Sequence, residues 1–276
     1  MKLIGISSST GATQTYLNTS YHTAFLRSGI APVALPQFPI VNRETITQEE
    51  YNEQHKEWID GFVEGLSGLV CSGGVDLSPI SFDEHNWGSS NCDSERDMME
   101  LALLAAFMEA NKPILGICRG HQAIGRVLGL SGFTQDLATS KVGEFHVGSE
   151  KELKDRQEPA HSIYALGAFR EYMRQKTGRA NLTELNVNSF HHQSFIFNDG
   201  KMPKHIETHA DYMGWLQGRA NVYGAKHDID IIACTGRVVE GFEKPDAKIV
   251  SYQYHVEEYG NQGLAIAYWL NKYVNV

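Results

Sequence analysis

The sequence feature that most constrains the fold is a short apolar run that turns sharply into a helical pattern, within residues 112–130. The turn is GICRG (116–120), a G-x-C-x-G form that joins a buried strand to a helix and presents a nucleophile at the corner. The helix that begins there directs its free N–H groups and the positive end of its dipole at the sulfur of Cys118, which favours a nucleophilic thiolate. The alternative is a buried structural cysteine, but such a cysteine does not need this turn around it.

Strand-like and helix-like patterns alternate ahead of this turn. Buried strands are predicted at 2–8, 31–35 and 68–72, helices at 15–28, 47–66 and 95–111, and a fourth strand after Pro113. In the first helix the candidate core positions are Tyr16, Tyr21, Phe25 and Leu26. This alternation is typical of a mostly parallel sheet with helices on both faces, so an α/β fold is predicted.

The pattern is looser after Leu130. Short strands are predicted at 135–137, 162–166, 184–188, 230–234, 238–242 and 249–254, with helices at 168–176 and 260–273. The last three strands suggest a meander, which adds a small antiparallel portion to the C-terminal half. The polar, glycine-dotted segment 198–228 fits a lid, an insertion or an interface element. Without an internal repeat or a clear linker, residues 1–276 are interpreted as a single domain.

Charge and cysteine usage exclude several classes of protein. The net charge of −9 and the sequence pI near 5.7 argue against a surface for nucleic acid or anionic membranes. The four cysteines are scattered without a CxxC pair, which predicts reduced thiols in a cytoplasmic protein. The first residues carry too short an apolar run for a signal peptide, and no stretch approaches the ~20 apolar residues that a membrane span needs.

A thiol nucleophile needs a base, and the base needs a group that orients it. Among 12 histidines the best placed is His255, in QYHVE (253–257), at the end of a predicted strand where α/β sheets place their chemistry. Side chains at i and i+2 share a face of extended chain, so the carboxylate of Glu257 can hold one ring nitrogen of His255. A surface histidine beside a solvated glutamate is the alternative, and the cysteine turn in the same chain argues against it.

Backbone N–H groups must also face the oxyanion of a tetrahedral intermediate. One candidate is the N–H of Arg119, directly after the nucleophile. The other is Gly73-Gly74 at the end of a neighbouring predicted strand, where a missing Cβ lets the backbone approach a substrate. A simple turn is the alternative interpretation of this glycine pair.

Two further groups of polar residues have less specific patterns. In the segment HHQ (191–193), adjacent histidines of an extended chain point to opposite faces, so at most one is expected to line a pocket. No second ligand pair accompanies them, and no metal site is predicted. The charged residues that precede or open the helix at 95–111 are expected to be mostly surface charges favoured by its dipole. They are Asp93, Glu95, Arg96, Asp97 and Glu100.

With these residues collected, the chain resembles a class I (triad-type) glutamine amidotransferase domain, and within that superfamily the γ-glutamyl hydrolases of the peptidase C26 group. The likeness is greatest to γ-glutamyl-γ-aminobutyrate hydrolases of polyamine breakdown. It is carried by CSGGVD (71–76), Arg96-Asp97 with Glu100, GICRGHQ (116–122), QDL (135–137), VNSFHHQ (187–193) and residues 239–257. The resemblance implies a flavodoxin-like fold in which Cys118 is the nucleophile, His255 the base and Glu257 its orienter. It also implies an oxyanion hole from Gly74 and Arg119, and substrate contacts from Gln122, His191, His192 and Gln193.

The resemblance implies cleavage of a small γ-glutamyl amide, such as γ-glutamyl-γ-aminobutyrate, through a γ-glutamyl thioester without a metal or other cofactor. Val256 stands where the family usually has proline, and His121-Gln122 resembles the amidotransferase form of the motif. Two other hypotheses therefore stay open: a glutaminase subunit that passes ammonia to a separate synthetase, and a non-catalytic binding module on the same fold. The expected partner is the small γ-glutamyl substrate rather than nucleic acid or membrane, and a homodimer is left open.

Overall fold

A computed structural model describes residues 1–10, 14–38, 46–140, 156–197, 206–258 and 263–275. The strands are β1 (Leu3–Ser7), β2 (Ser9–Thr10), β3 (Thr15–Tyr16), β4 (Ala31–Leu35), β5 (Gly68–Cys71), β6 (Ile114–Ile117), β7 (Phe133–Thr134), β8 (His161–Ala165), β9 (Glu184–Val187), β10 (Ser194–Phe195), β11 (Asp230–Thr235), β12 (Val238–Lys244) and β13 (Ile249–Tyr252). The helices are α1 (Thr19–Arg27), α2 (Gln48–Gly65), α3 (Ser94–Glu109), α4 (Arg119–Val127), α5 (Gly167–Thr177), α6 (His209–His227) and α7 (Gly263–Trp269).

The main sheet has nine strands in the order β4-β1-β5-β6-β13-β12-β11-β8-β9. The pairings from β4 to β13 are parallel, and those from β13 to β9 are antiparallel. The predicted α/β class with a mostly parallel N-terminal part and an added antiparallel portion is confirmed. The antiparallel portion is larger than expected and takes up half of the pairings, because β8 and β9 join the meander of β11 to β13.

Two hydrophobic cores lie on the two faces of this sheet. One contains Phe25 of α1, Phe169 of α5 and Trp269 of α7, and the other contains Leu103 of α3 and Leu216 of α6. The central strands contribute to both cores because successive side chains of a strand point to opposite faces. Leu115 and Ile117 of β6 face the first core, and Ile114 faces the second. A short strand of this kind, buried on both faces, is apolar throughout.

The register of the central strands determines where the functional groups meet. In the parallel pair β6 and β13, Ile117 is opposite Tyr252, and in the pair β5 and β6, Cys71 is opposite Gly116. The carboxyl ends of all three strands therefore lie side by side at one edge of the sheet. The glycine pair after β5, Cys118 after β6 and His255 after β13 emerge at this edge, where open α/β sheets bind their ligands.

The helix predicted at 15–28 begins later than expected. Thr15 and Tyr16 form β3, which pairs with β2, and α1 begins at Thr19. The side chain of Asn18 caps this helix by accepting a hydrogen bond from the N–H of Ser20 at 3.0 Å. Asn18 is a favourable N-cap residue, and it ends the extended segment before it. The predicted core positions Tyr16 and Leu26 are wrong, since they are 57% and 47% exposed, whereas Tyr21 and Phe25 are buried.

The segment 198–228 is largely a packed helix rather than an open insertion. Within it α6 starts at a capping box formed by Thr208 and Asp211, and it buries Leu216 in the second core. Residues 198–205 lie outside the described residues.

The strand expected at 135–137 is displaced to β7, which pairs with β10. The closing helix is α7 with a π-helical turn at Leu270–Val274, and residues 260–262 of the predicted helix lie outside the described part.

In the ranges that the structure describes, none of the helices is both long and apolar enough to cross a membrane.

Candidate active site

Cys118 stands between β6 and α4 in a strained backbone conformation. Its φ is 54° and its ψ is −107°, a combination that side-chain-bearing residues rarely adopt. The flanking glycines make this turn feasible. A Cβ on Gly120 would overlap the carbonyl oxygen of Cys71, and one on Gly116 would lie 2.6 Å from the Cδ1 atom of Ile124. The turn needs a glycine at each of these two positions because backbone and side chains already occupy that space.

His255 and Glu257 form the contact that their spacing predicts. The Nδ1 atom of His255 lies 2.6 Å from the Oε1 atom of Glu257, and both side chains are buried. The backbone conformation differs from the extended chain that was expected. Residues 255–258 form a turn, in which the N–H of Glu258 donates to the carbonyl of His255 at 3.4 Å. The turn brings the carboxylate back towards its neighbour, as an extended chain would also have done.

The side chains of Cys118 and His255 both lie next to the Cα of Gly73, in space that a side chain at that position would occupy. A Cβ at Gly73 would lie 2.6 Å from Cε1 of His255 and 3.4 Å from the Cβ of Cys118. The sulfur of Cys118 is close enough to the His255 ring to raise the pKa of the imidazole. The structure thus brings the three predicted triad residues together in one place, although they come from segments that are far apart in the chain.

The electrostatics of the cluster favour a charged histidine. Burial would lower the pKa of His255, but the Glu257 carboxylate and the Cys118 sulfur raise it to about 10. The imidazole is therefore protonated at neutral pH. A cation beside a sulfur atom stabilises a thiolate there, as in other cysteine–histidine pairs.

The backbone of His255 is held by a residue that the sequence did not single out by itself. The N–H of His255 donates to Oδ1 of Asn188 at 2.9 Å, and Nδ2 of Asn188 donates to the carbonyl of His255 at 3.2 Å. Asn188 is completely buried and follows β9. The only signal for it was its position in the VNSFHHQ segment that carried the family resemblance.

The two predicted oxyanion residues occupy the rim of the same cluster. Arg119 is the first residue of α4, so its N–H has no acceptor within the helix. A Cβ on Gly74 would overlap the guanidinium of Arg96, so a side chain at this position would displace a residue that buried ion pairs hold in place. The N–H of the preceding Gly73 already donates to the hydroxyl of Tyr21 at 2.7 Å.

Tyr21 was interpreted only as a core residue, yet its hydroxyl lies inside the site. Burial raises its pKa well above the ordinary value, and the neighbouring charge of Glu257 adds to this effect. The hydroxyl therefore stays neutral and can act as a hydrogen-bonding group. An apolar helix face gave no sign of this, because only the packing of α1 against the end of β5 brings the ring there.

The charges that open α3 are buried, so the expectation of surface charges is wrong for Arg96, Asp97 and Glu100. The guanidinium of Arg119 forms ion pairs with Asp97 and Glu100, and Nε of Arg96 donates to Glu100 at 3.0 Å. Burial would raise the pKa of Glu100, but the Arg119 and Arg96 charges hold it below its ordinary value. Two cations and two anions balance, which makes burial of the network tolerable.

This network ties the helices to the loop that follows β5. Nη2 of Arg96 donates to the carbonyl of Gly73 at 3.0 Å and to the hydroxyl of Ser72 at 2.9 Å. Oδ2 of Asp97 accepts from the N–H of Ser78 at 2.8 Å. The side chain of Arg119 thus holds α4 against α3, and Arg96 holds α3 against the glycine loop. The relative position of nucleophile and glycine loop depends on these contacts.

The residues expected to contact substrate are bound mainly to one another. Nε2 of Gln122 donates to the carbonyl of Gln193 at 2.9 Å, and Nε2 of Gln193 donates to Oγ of Ser89 at 2.6 Å. His191 is buried and its Nδ1 lies 3.1 Å from the same carbonyl of Gln193. These bonds join α4 to the 191–193 segment. A direct contact between these side chains and substrate stays a prediction.

His192 lies between two carboxylates at the edge of the same segment. Its Nε2 is 2.9 Å from Oδ2 of Asp76, and its Nδ1 is 3.6 Å from Oδ1 of Asp136. The hydrogen bond with Asp76 is the main reason that the pKa of His192 is raised. Within the described ranges, no cluster of three or more His, Cys, Asp or Glu side chains is arranged to hold a metal ion.

A cavity of about 240 Å³ lies over the histidine and the glycine loop. Its lining residues are Ser9, Tyr16, Leu17, Asn18, Tyr21, Ser72, Gly73, Gly74, Arg156 and His255. A larger cavity of about 730 Å³ lies between α6 and the antiparallel strands, and no cysteine or histidine is among the described residues that line it. The smaller cavity is the candidate substrate site because His255 and the glycine loop line it.

A family model and several known proteins match this sequence. The family model for Peptidase C26 matches residues 2–257. The glutamine amidotransferase-like protein YvdE of Lactococcus lactis subsp. lactis (strain IL1403) is 34% identical over 141 residues, which is 50% of this chain and 54% of that protein. A gamma-glutamyl-gamma-aminobutyrate hydrolase of Escherichia coli O157:H7 is 27% identical over 156 residues, which is 55% of this chain and 54% of that protein. These alignments span about half the length of each relative.

Solved structures share the fold at low sequence identity. A GMP synthase protein of Thermoplasma acidophilum has a TM-score of 0.54 and 15% identity, over 100% of this chain and 96% of that chain. The glutaminase domain of the Trypanosoma brucei CTPS, with bound acivicin, has a TM-score of 0.50 and 13% identity, over 99% and 95%. At this identity the likeness shows the fold alone.

Proposed function

The chain belongs to the Peptidase C26 family, and from that premise we propose that it is a cysteine hydrolase that cleaves the γ-glutamyl amide bond of a small compound. The observation that carries the proposal is the meeting of Cys118, His255 and Glu257. The histidine ring is held by Glu257 at 2.6 Å and lies beside a cysteine in a positive-φ turn at a helix N-terminus. Nucleophile, base and orienter in this relation are the minimal parts of acyl transfer by a thiol.

In the first half of the reaction, the sulfur of Cys118 attacks the side-chain carbonyl carbon of the glutamyl group. The carbonyl oxygen becomes an oxyanion, and in this proposal the backbone N–H groups of Arg119 and Gly74 stabilise it. The protonated His255 then gives its proton to the departing amine nitrogen as the carbon–nitrogen bond breaks. The products of this step are a free amine and a γ-glutamyl thioester on Cys118.

In the second half, water attacks the thioester carbonyl. His255, now neutral, takes a proton from the water as the new carbon–oxygen bond forms. The carbon–sulfur bond breaks, glutamate leaves, and the thiolate beside an imidazolium is restored. Glu257 remains a carboxylate throughout and orients the ring.

The finer part of the proposal is a γ-glutamyl-γ-aminobutyrate-like substrate in a cytoplasmic protein. Its support is the E. coli relative, whose name states that substrate, and the cysteines at 71, 92, 118 and 234, which are all unpaired. A second candidate is a glutaminase subunit that supplies ammonia to a separate synthetase. The amidotransferase-like name of the Lactococcus relative favours it. A non-catalytic module is disfavoured because each group that the chemistry needs is in contact with its partner.

The deciding experiment measures glutamate release from a panel of γ-glutamyl compounds. The panel contains γ-glutamyl-γ-aminobutyrate, γ-glutamylputrescine, a γ-glutamyl peptide, a folate-type polyglutamate and glutamine. The wild-type protein should release glutamate from at least one of them. Cys118→Ala should show no turnover, whereas Cys92→Ala, which removes an exposed thiol outside the site, should match the wild type.

Three outcomes would change the proposal. Turnover retained by Cys118→Ala would refute the role of this thiol. Preference for free glutamine, with activity increased by a partner protein, would favour the supply of ammonia to a synthetase. Failure of iodoacetamide to alkylate Cys118 at neutral pH, measured by peptide mass spectrometry, would support the non-catalytic module.

A further inference from the structure

The mechanism above leaves one charged side chain of the cavity without a role. Arg156 lines the cavity together with Gly73, Gly74 and His255. Its side chain is 41% exposed, so it is accessible from the cavity rather than fully covered. An arginine stays protonated at any pH at which the protein is folded. A permanent positive charge therefore lies in the wall of the candidate substrate cavity.

The main chain of Arg156 is attached to the same residue that holds the histidine. Nδ2 of Asn188 donates to the carbonyl of Arg156 at 3.1 Å and to the carbonyl of His255 at 3.2 Å. Asn188 is completely buried. The position of Arg156 relative to the catalytic imidazole is therefore set by a short, direct link, and does not depend on a long flexible connection.

The side chain of Arg156 is also positioned before any ligand arrives. Its guanidinium lies 4.4 Å from the centre of the Phe190 ring, and that ring contacts the ring of His255 edge-on at 5.7 Å. Its Nε donates to Oε1 of Glu258 at 2.9 Å. Stacking and one charged hydrogen bond restrain the guanidinium, which reduces the entropy lost when it binds a ligand.

These contacts leave the outer edge of the guanidinium available. Within the described part of the chain, Nε of Arg156 has a hydrogen-bond partner, and its two terminal nitrogens have none. Two parallel N–H donors on a planar group match the two oxygens of a carboxylate, and this bidentate geometry is the preferred use of arginine in recognition. The two terminal nitrogens of the Arg156 guanidinium can therefore bind an anionic group on the substrate.

The side on which Arg156 lies indicates which part of the substrate it reaches. His255 must deliver its proton to the departing nitrogen, so the leaving amine lies on the histidine side of the sulfur. All the anchors of Arg156 come from that side: Asn188 and Phe190 precede the HHQ segment, and Glu258 follows the triad glutamate. We propose that Arg156 binds a carboxylate carried by the leaving amine, so that the enzyme selects γ-glutamyl derivatives of amino acids over those of neutral amines and diamines. This inference rests on the proposed function.

The test compares three substrates that differ only at the far end of the leaving amine. They are γ-glutamyl-γ-aminobutyrate, the γ-glutamyl amide of butylamine and γ-glutamylputrescine, which are anionic, neutral and cationic there. Arg156→Gln should lower kcat/KM for the anionic substrate by roughly 10- to 100-fold, mainly through KM, as expected for loss of a charged bidentate contact. The neutral amide should change by less than about 2-fold, since it makes no such contact. For the anionic substrate, the kcat/KM of Arg156→Lys should lie between those of the wild type and Arg156→Gln.

The chain offers a matched control in Arg126. Its guanidinium also lies over an aromatic ring, at 4.3 Å from the centre of Phe82, and pairs with Glu84 at 2.6 Å, but it does not line the cavity. Arg126→Gln should leave the ratio of kcat/KM between the anionic and neutral substrates unchanged. An equal loss on all three substrates in Arg156→Gln would overturn the inference, because it would place Arg156 at the glutamyl end or in the scaffold. No loss on any substrate would overturn it as well.

Binding separates this inference from the proposed function. In a Cys118→Ala background that cannot turn over, calorimetry with the anionic and neutral compounds reports affinity alone. Loss of affinity for the anionic compound only, on adding Arg156→Gln, supports the inference even if the wild-type protein releases no glutamate, an outcome that would refute the proposed function. The opposite result would refute the inference and leave the proposed function standing. In that case the wild-type protein releases glutamate, and adding Arg156→Gln to Cys118→Ala leaves the affinity for each compound unchanged.

Discussion

Replacing Glu257 by glutamine is the most informative single change, since it keeps the size of the side chain and removes its charge. The carboxylate lies 2.6 Å from Nδ1 of His255. Burial would lower the pKa of His255 from 6.5, and the charges of Glu257 and Cys118 raise it to about 10. With the glutamate charge removed, burial still lowers the pKa and only the Cys118 sulfur still raises it, so we expect the pKa of His255 to fall in Glu257→Gln.

The size of the effect follows from the two protonated fractions. At pH 8 an imidazole with a pKa of about 10 is about 99% protonated, and one with a pKa of 6.5 is about 3% protonated, a ratio of about 30. If the pKa fell as far as the ordinary 6.5 and His255 must be protonated to release the amine, kcat/KM at pH 8 should fall by about 30-fold through protonation alone; a smaller fall in the pKa gives a smaller loss. Because the variant ring becomes protonated below its lowered pKa, the deficit should shrink as the pH falls through that value.

The assay has a direct and a kinetic part. Nitrogen-15 histidine spectra recorded against pH should show the midpoint of His255, assigned with His255→Gln, moving down in Glu257→Gln. The pH dependence of kcat/KM should show the deficit growing from acid to alkaline pH. Glu240→Gln is the matched control, since Glu240 is a buried carboxylate 3.2 Å from His161, outside the triad. A midpoint that stays near 10 in Glu257→Gln, or a deficit independent of pH, would refute the reasoning.

Three further predictions concern the scaffold of the site. Gly120→Ala should abolish folding or activity, because its Cβ would overlap the backbone oxygen of Cys71. A Cβ in Gly61→Ala, within α2, meets nothing within 4 Å, so this variant should raise the free energy of unfolding by about 0.8–1 kcal/mol. Thermal unfolding of the two variants should show these opposite effects on stability. Burial lowers the pKa of His121 to about 3, below its unfolded value of 6.5, so its contribution to stability is complete above pH 6.5 and is lost as the pH falls towards 3. At pH 5 the loss should be about 2 kcal/mol in urea unfolding, and it should be absent in His121→Asn; a variant with the same acid sensitivity as the wild type would contradict this account. Arg119→Met removes one of the two cations that balance the buried Asp97 and Glu100, and should lower the free energy of unfolding by about 3–5 kcal/mol, so an unchanged urea midpoint would count against the buried network.

The parts of the site that local sequence could predict are those set by neighbouring residues. The turn around Cys118 was predictable because an apolar run, two glycines and a helical pattern occur together within 112–130. The contact between His255 and Glu257 was predictable because a separation of two residues brings such side chains close in more than one backbone conformation. The alternation of strands and helices similarly predicted the α/β class, since periodicity reports which face of each element is buried.

The burial of charges could not be predicted in the same way. Arg96, Asp97 and Glu100 open a helix, and charges there are usually solvated. They are buried only because α4 brings Arg119 against them and the cations and anions then balance. A periodic pattern contains no information on which helix will supply the compensating charge. The buried face of α3 therefore includes charged residues that the sequence pattern assigned to the surface.

What the sequence by itself determined is the nucleophile turn, the histidine–glutamate pair and the kind of sheet that holds them, because these depend on interactions between residues close in the chain. What only the tertiary structure decided is that β6 and β13 are neighbours, with Ile117 opposite Tyr252, which brings Cys118 to His255. The same packing places the hydroxyl of Tyr21 on Gly73, Asn188 behind the histidine and Arg156 at the cavity. These contacts join residues far apart in the sequence, and they form only when the apolar faces of many elements are buried together.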